Sequence, residues 1–356
     1  MFDFIDKLKY YPDKVNTALS DTIGHSLSTV FLDLSTNVCD FNCFFCDGKF
    51  YKLPQSSFSK DRLLEIIEEL KELKVDSVLI CGEGSEPLLH PNFKEISQKL
   101  IDSGFYVGIY TNGSIIDNEI IDVLSRFDFV RISLNAATLQ MHKKIHCYTR
   151  VNVFDTVVEF ISEISKVNEN TGVSFLLLEE NICEMFTAAE LSKKLAAKYI
   201  EFKPAYLKDY DINKTLYAQK TDIFEQIQKS QSIEDDNFKV LLNNQLRNFP
   251  DNVSEITYQE TAIDCLTSKF RMVISPTGCY LCTPHRSKNQ YCIGDPNKQS
   301  IKEIWFSDLH KEILQKKCNY KCAYFAQNKY LLDLKSSNLP FQSTVGNNNI
   351  NPKSFL

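Results

Sequence analysis

The sequence lacks the features of a membrane-embedded, secreted or strongly charged protein. No apolar run approaches the roughly 18 residues of a membrane span. The first residues, MFDFIDKLKYYPDK, mix acids and bases and contain no apolar segment typical of a secretory signal. The 40 Lys and Arg and 46 Asp and Glu residues give a net charge of -6, so bulk charge does not favour a nucleic-acid or membrane partner. We therefore expect a cytoplasmic location.

Cysteine, by contrast, is abundant. The chain has 356 residues, 12 of them cysteines, and its length allows about two domains with cores of their own. A disulfide scaffold is typical of short secreted chains, and this chain is long and has no visible signal. In a reducing compartment clustered cysteines bind metal or take part in chemistry, so their positions are informative.

Strand and helix patterns alternate over the first 205 residues. This alternation predicts a parallel sheet covered by helices. Six strand patterns are too few for an eight-stranded barrel and favour an open or partial one. The strand patterns are 28–36, 77–81, 106–111, 129–134, 173–178 and 199–203, and the intervening helix patterns are 60–73, 92–103, 118–127, 152–166 and 184–198.

The first cysteine cluster is a CxxxCxxC pattern made by Cys39, Cys43 and Cys46, directly after the first strand pattern. Three thiolates on one short loop can ligate three irons of a [4Fe–4S] cluster and leave the fourth iron open. Zinc would want a fourth ligand, and none is close in the sequence. A zinc site or three unrelated cysteines remain the alternatives.

The surrounding motifs resemble those of the radical S-adenosylmethionine (SAM) superfamily. Phe45 holds the aromatic position of its cysteine loop, and Gly84-Ser85-Glu86-Pro87 resembles its GGEP motif with the second glycine replaced by serine. Thr111-Asn112-Gly113 resembles its TNG segment, Ser133-Leu134-Asn135 its SxD/N segment, and Phe202-Lys203-Pro204 a further family segment. Each motif lies at the carboxyl end of a predicted strand, where βα-barrel enzymes place their active sites.

The resemblance implies an α/β fold with a partial (β/α)6 barrel of the radical SAM type, followed by a small cysteine-rich, twitch-like domain. It implies a [4Fe–4S] cluster that cleaves SAM to a 5′-deoxyadenosyl radical, which abstracts a hydrogen atom from a substrate carbon. It also implies a reducing electron donor such as flavodoxin or ferredoxin. The SAM-binding residues that it implies are Phe45, Gly84, Ser85, Glu86, Asn112, Ser133 and Asn135.

A second cysteine cluster resembles the SPASM/twitch extension of radical SAM enzymes. The implied ligands of one auxiliary [4Fe–4S] cluster are Cys265, Cys282, Cys318 and Cys322, and Cys279 is the alternative ligand. The spacing departs from the family pattern, since the last two form CxxxC rather than CxxC. No cysteine follows Cys322, so two auxiliary clusters are not expected. Zinc bound by the four thiolates is the alternative.

Four cysteines stand outside both sets: Cys81, Cys147, Cys183 and Cys292. Buried structural thiols are the ordinary interpretation. Cys147 and Cys292 are nevertheless candidate catalytic residues, because a thiol at the rim could donate a hydrogen atom to a product radical, as in some epimerases of the family.

Several charged residues follow the strand patterns. His146 stands where relatives often carry an arginine that contacts the SAM carboxylate, and Arg150 or Lys144 could replace that contact. Arg131 and Lys203 lie on strand patterns near the rim. A buried cation there needs a partner, and an anionic substrate is one candidate.

We expect five segments along the chain. These are an N-terminal extension (1–27), the partial barrel (28–207), a mainly helical connector (208–262), the auxiliary-cluster domain (263–335) and a polar tail (336–356). Peptide-modifying relatives often carry an N-terminal leader-binding domain, and the 38 residues before Cys39 are too few for one.

A small-molecule substrate is therefore the first expectation, with oxidation or epimerisation of a polyol, sugar or sugar-conjugate carbon as the reaction. One alternative is modification of a ribosomally made peptide. The other, from a different class, is a non-catalytic scaffold that binds zinc or a cluster.

Overall fold

The computed structural model describes most of the chain, including the first cysteine loop. Cys318 and Cys322 lie outside the described residues, as do residues 338–356 of the polar tail. The described residues are 11–20, 24, 26–46, 48, 52–205, 219–243, 246, 264–316 and 324–337.

A ten-stranded sheet organises the described residues, in the order β12-β11-β10-β1-β4-β5-β6-β7-β8-β9. All neighbours from β10 to β9 in this order are parallel, whereas β11 pairs antiparallel with both β10 and β12. Two further strands, β2 and β3, form a small antiparallel pair. The strands are β1 (Thr29–Asp33), β2 (Ser35–Thr36), β3 (Ser56–Ser57), β4 (Ser77–Cys81), β5 (Tyr106–Thr111), β6 (Phe129–Ser133), β7 (Thr171–Leu177), β8 (Tyr199–Pro204), β9 (Lys239–Leu242), β10 (Arg271–Ser275), β11 (Gly278–Tyr280) and β12 (Cys292–Gly294).

Helices alternate with the strands of the first half, as the patterns predict. The α-helices are α1 (Pro12–Leu19), α2 (Lys60–Glu72), α3 (Phe93–Asp102), α4 (Asn118–Ser125), α5 (Leu139–His146), α6 (Val153–Val167), α7 (Met185–Lys194), α8 (Lys220–Gln231), α9 (Ile301–Trp305), α10 (Asp308–Gln315) and α11 (Phe325–Ser336). Short 3-10 turns are Pro87–Leu89, Ile182–Glu184, Thr267–Phe270, Thr283–His285 and Asn289–Tyr291. Among the described helices, none combines the length and apolarity that a bilayer-spanning segment needs.

The α2 helix shows why these segments form and where they pack. The Ser59 hydroxyl accepts a hydrogen bond from the backbone N–H of Arg62 and so caps the helix start. Apolar residues at helical spacing, Leu63, Ile66 and Leu70, are fully buried and join the main core between helices and sheet. Burying each such side chain stabilises the fold by about 1.5–3 kcal/mol.

The two faces of the sheet differ. Val30 and Leu32 belong to the main core with the helices, and Phe31 between them belongs to a separate cluster on the opposite face. In the described part of the chain this second cluster contains strand residues and no helix residue. We call the face the inner face; its buried cluster is Phe31, Leu79, Cys81, Phe129, Val273 and Tyr280.

The six predicted strands are all present, as β1 and β4 to β8, which confirms the α/β fold with a largely parallel sheet. The structure adds four further strands to the same sheet. β9 comes from the polar connector and pairs with β8, whereas β10 to β12 come from the cysteine-rich segment and join the sheet beside β1. That segment therefore continues the barrel sheet on the side of β1.

Candidate active site

The carboxyl ends of the parallel strands gather the predicted motifs at one edge of the sheet. The cysteine loop follows β1, and the Gly84–Pro87 segment follows β4. Thr111 is the last residue of β5, and Asn112 comes directly after it. Parallel strands end at the same edge, so loops distant in sequence meet there. Hydrogen bonds connect these loops to one another directly.

Backbone hydrogen bonds join the cysteine loop to the loop after β4. The backbone N–H of Glu86 donates to the Val38 carbonyl at 2.8 Å, and that of Asn37 donates to the Glu83 carbonyl at 3.1 Å. The Val38 N–H donates to the Ser85 hydroxyl at 3.0 Å. The serine that replaces the family's second glycine therefore accepts a hydrogen bond from the residue directly before Cys39.

Gly84 makes this approach possible. Its φ of +66° lies in the left-handed region, and a Cβ added to it would lie 3.0 Å from the Cα of Gly48. Both the backbone conformation and the space therefore require glycine at this position.

Glu86 connects the loop after β4 to the end of β5. One carboxylate oxygen accepts hydrogen bonds from the Thr111 hydroxyl at 2.6 Å and the Leu88 N–H at 3.1 Å. The other oxygen accepts one from the Asn112 N–H at 2.6 Å. Burial raises the pKa of Glu86 to about 7, although these three hydrogen bonds favour the charged form. A carboxylate has about four acceptor positions, so these protein groups leave one for a ligand donor.

Cys39 lies half-buried beside this network. Its Sγ accepts from the Phe41 N–H at 3.4 Å and lies 3.8 Å from Asn112 Nδ2. Burial, followed by the nearby Glu86 carboxylate, raises the pKa of the Cys39 thiol to about 12. A thiolate here needs a cationic partner such as iron, because ligation couples deprotonation to metal binding.

Cys43 contacts the buried His146, a contact that the sequence did not indicate. His146 Nδ1 lies 3.0 Å from Cys43 Sγ, and Nε2 lies 3.2 Å from the Leu134 carbonyl oxygen. Only a protonated Nε2 can donate to that carbonyl. In the neutral ring Nδ1 therefore carries no proton and can accept a hydrogen bond from the Cys43 thiol. Burial lowers the pKa of His146 to about 4. His146 therefore joins the cysteine loop to the backbone just after β6.

The cysteine loop carries three thiols that could bind a cluster. In the described residues no three His, Cys, Asp or Glu side chains are grouped so that one ion could bind them all. Thiolates of a [4Fe–4S] cluster bind different irons and need not converge on one point. Cys39, Cys43 and Cys46 share one short loop, and the Cys46 N–H donates to the Cys43 carbonyl at 3.2 Å.

The other predicted SAM contacts lie at the same edge. The ring of Phe45 meets that of His146 edge-on, with centroids 5.7 Å apart, and Ser133 ends β6. The Asn135 side-chain oxygen accepts from the Leu176 N–H at 2.8 Å and thus ties the end of β6 to β7. Asn112 Nδ2 also donates to Asp40 at 3.0 Å, and Arg150 pairs with that carboxylate at 2.6 Å.

Comparisons with known proteins agree with this geometry. A family model of the radical SAM superfamily matches residues 34–191, and a model of the iron-sulfur cluster-binding SPASM domain matches residues 265–324. A protein of Saccharolobus islandicus (strain L.S.2.15 / Lassen #1) named "Probable GTP 3',8-cyclase" is 30% identical over 222 residues, which cover 59% of this chain and 70% of the relative. The chain belongs to the radical SAM superfamily.

Two solved structures resemble its fold. Streptococcus suis SuiB bound to precursor peptide SuiA aligns with a TM-score of 0.65 and 14% identity, over 88% of this chain and 73% of SuiB. The protein anSMEcpe with bound AdoMet aligns with a TM-score of 0.59 and 13% identity, over 88% of this chain and 96% of anSMEcpe. At these identities the likeness shows the fold alone.

Membership confirms the expected cofactors. The radical SAM and SPASM domains imply three kinds of cofactor: a SAM-binding [4Fe–4S] cluster, SAM itself and auxiliary iron–sulfur clusters. The residues described above fit the first cluster, because one loop supplies three thiols beside a carboxylate with an acceptor position to spare. Which residues hold each group stays a prediction.

The described cysteines of the SPASM region differ in their surroundings. Cys265 and Cys282 are half-buried, and Cys265 Sγ lies 3.2 Å from the Thr267 hydroxyl. Cys279 is fully buried in the main core, and burial raises its pKa well above the ordinary value. Cys279 therefore packs as an apolar core residue, which favours Cys282 as the ligand.

The two candidate hydrogen-atom donors lie in different places. Cys147 is exposed at the left-handed C-cap of α5, away from the inner-face cluster. Cys292 is half-buried on β12 and packs against that cluster. Sequence reasoning left Cys81 as a structural thiol, yet it lies on the inner face, where it contacts Asp33 at 3.3 Å and Arg286 at 2.9 Å. The period-two alternation of β4 is the signal that could have placed it there.

Proposed function

We propose that this radical SAM protein binds SAM at the edge formed by the cysteine loop and abstracts a hydrogen atom from a substrate on the inner face. Cys39, Cys43 and Cys46 would hold the [4Fe–4S] cluster, which, when reduced, supplies the electron that cleaves SAM to methionine and a 5′-deoxyadenosyl radical. The observation that carries the proposal is the hydrogen-bonded chain from Val38 through Glu86 to Asn112.

The protein groups have distinct tasks in this proposal. The remaining acceptor position of Glu86 would bind the SAM amino group, and the backbone at Gly84 and Ser85 would border it. Asn112, Ser133 and Asn135 would line the ribose and carboxylate side, and Phe45 would shield the cluster. These groups bind and orient SAM, whereas the cofactor supplies the radical chemistry.

The auxiliary cluster belongs to the same proposal. Cys265, Cys282, Cys318 and Cys322 would be its ligands, and a flavodoxin or ferredoxin in the cytoplasm would supply electrons. The cluster would accept an electron if the product is oxidised. Cys292, which packs at the inner face, is the better placed of the two proposed hydrogen-atom donors if the substrate carbon is inverted.

The substrate class is less constrained than the chemistry. The comparisons do not support a polyol or sugar, because the names of the relatives above concern GTP and a precursor peptide. Peptide modification, the earlier alternative, has support in the fold likeness to SuiB. A nucleotide has support in the 30% identity to the cyclase. Family membership argues against a non-catalytic scaffold.

The decisive experiment is anaerobic. The protein is reconstituted with iron and sulfide, its metal is counted, and dithionite is added with SAM. We expect about eight irons per chain, in two clusters of about four, together with 5′-deoxyadenosine. About four irons with nucleoside formation would remove the auxiliary cluster. Zinc in place of iron, with no nucleoside, would overturn the proposal.

A further inference from the structure

The inner face carries a group of charged and aromatic side chains that the SAM site does not use. Alternation along β8 places three of them on the face opposite Ile200 and Phe202, which belong to the helix-packed core. Strands β5 and β6 contribute the other two. We call this group the inner cation cluster; it consists of Tyr110, Arg131, Tyr199, Glu201 and Lys203.

Within this cluster Arg131 already has its partners. Its guanidinium pairs with Glu201 at 2.7 Å and donates to the Tyr199 hydroxyl at 3.2 Å and the Tyr110 hydroxyl at 3.4 Å. Both tyrosine rings also lie within 5.4 Å of the guanidinium carbon, at cation–π distance. The side chain is only 8% exposed. Glu201 thus supplies the partner that a buried Arg131 needs, so this arginine does not require an anionic substrate.

Lys203 is different. Its Nζ lies 3.9 Å from Glu201 Oε2 and 5.7 Å from the centre of the Tyr110 ring, and it makes no hydrogen bond to any described residue. Burial lowers the pKa of Lys203, an effect that Glu201 opposes and Arg131 reinforces. Yet 26% of the side chain remains exposed. These facts describe a side chain on the inner face that is largely desolvated but still partly exposed to solvent.

The charges of the cluster favour an anion beside the Lys203 ammonium. Arg131, Glu201 and Lys203 together carry one net positive charge, and Glu201 is engaged by the arginine. An ammonium has three donors, and carboxylate and phosphate oxygens form the strongest hydrogen bonds with it. Lys203 also lies one residue before the end of β8, at the same edge of the sheet as the cysteine loop. A molecule held there would extend toward the SAM site.

We propose that Lys203 binds a carboxylate or phosphate group of the substrate on the inner face, beside the Arg131–Glu201 pair. This inference rests on the proposed function, because it supplies the anchor for the substrate of the same site. It assigns the substrate a negative charge without assigning the carbon that is attacked.

The test is a calorimetric titration of the anaerobically reconstituted protein with two probes, inorganic pyrophosphate and glutarate. Lys203→Gln removes the positive charge, and we expect binding to weaken about tenfold or more, as for loss of a hydrogen bond between charged groups. Glu201→Gln raises the net charge of the cluster, and we expect binding to tighten several-fold. Lys194→Gln, on the exposed end of α7, is the matched control and should bind like the wild type.

Each outcome decides the inference. Opposite effects of the two inner-face variants support it, because a purely structural role would not tighten binding in either. Preference for pyrophosphate or for glutarate then identifies the group as phosphate or carboxylate. Equal binding by wild type and Lys203→Gln, or no binding of either probe, overturns it. If Lys203→Gln does not fold, Glu201→Gln decides alone, and unchanged or weaker binding overturns the inference. Formation of 5′-deoxyadenosine without substrate tests the proposed function separately.

Discussion

The carboxylate of Glu86 accepts a hydrogen bond of 2.6 Å from the backbone N–H of Asn112. Glu86 thus ties the ends of β4 and β5 together, while its own backbone N–H donates to Val38 beside the cysteine loop. Three loops that come from distant parts of the chain therefore share one residue. In this molecule the acid of the GGEP-like motif holds the site's framework, in addition to the SAM contact proposed for it.

Glu86→Gln is predicted to damage this framework. The carboxamide has one acceptor oxygen, so either the Asn112 N–H or the Thr111 hydroxyl loses its partner. A buried donor left unpaired costs about 1–3 kcal/mol, and we expect the free energy of unfolding to fall by that amount. SAM binding should weaken as well. Urea denaturation and SAM titration measure the two effects. Glu72→Gln, at the exposed end of α2, is the control, and equal behaviour of both variants would contradict the assignment.

His146→Leu is predicted to loosen the first cluster. The substitution removes the ring that joins Cys43 Sγ to the Leu134 carbonyl, so the cysteine loop loses this tie to the end of β6. We expect reconstituted protein to lose iron from this cluster on gel filtration and to form less 5′-deoxyadenosine. His142→Leu is the matched control, because His142 is also buried on α5 and pairs with Tyr148 rather than with a cysteine. Iron loss in the control alone would refute the role given to His146.

Cys279→Ser and Cys282→Ser are predicted to act on different properties. Cys279 is fully buried in the core, so serine there places a hydroxyl in apolar surroundings and should lower stability by about 1–3 kcal/mol with iron content unchanged. Cys282→Ser should lower the iron content by up to about four atoms per chain. Iron analysis and urea denaturation separate the two. Lost iron in Cys279→Ser with full iron in Cys282→Ser would exchange the two assignments.

The sequence patterns predicted those elements of the fold that depend on residues close together in the chain. Six strands, their helices and the clustering of motifs at one edge follow from periodicity and strand direction. The pairing of β10 with β1 could not be foreseen, because the two strands are about 240 residues apart and short apolar runs do not specify a partner. Two site features were missed for the same reason. The contact of His146 with Cys43 and the pairing of Arg131 with Glu201 both join side chains from different strands or loops.

Lys203→Met is predicted to stabilise the protein while abolishing anion binding. The ammonium is desolvated without a hydrogen-bond partner among the described residues, and Glu201 keeps Arg131 after the substitution. Replacing such a cation with an apolar side chain should raise the free energy of unfolding at pH 7 by about 1 kcal/mol. Lys194→Met, on the exposed end of α7, should leave it unchanged.

The stability difference between Lys203→Met and the wild type should decrease as the pH rises. Burial lowers the pKa of Lys203 below 10.5 in the folded protein, so between the two pKa values the unfolded chain binds more protons. The free energy of unfolding of the wild type therefore rises with pH between the folded and unfolded pKa values of Lys203. The methionine variant lacks this rise. We expect the advantage of Lys203→Met to be full below the folded pKa and to shrink as the pH approaches 10.5. Anaerobic urea denaturation at several pH values measures it. A variant less stable than wild type at pH 7 would show that Lys203 serves the fold rather than the substrate.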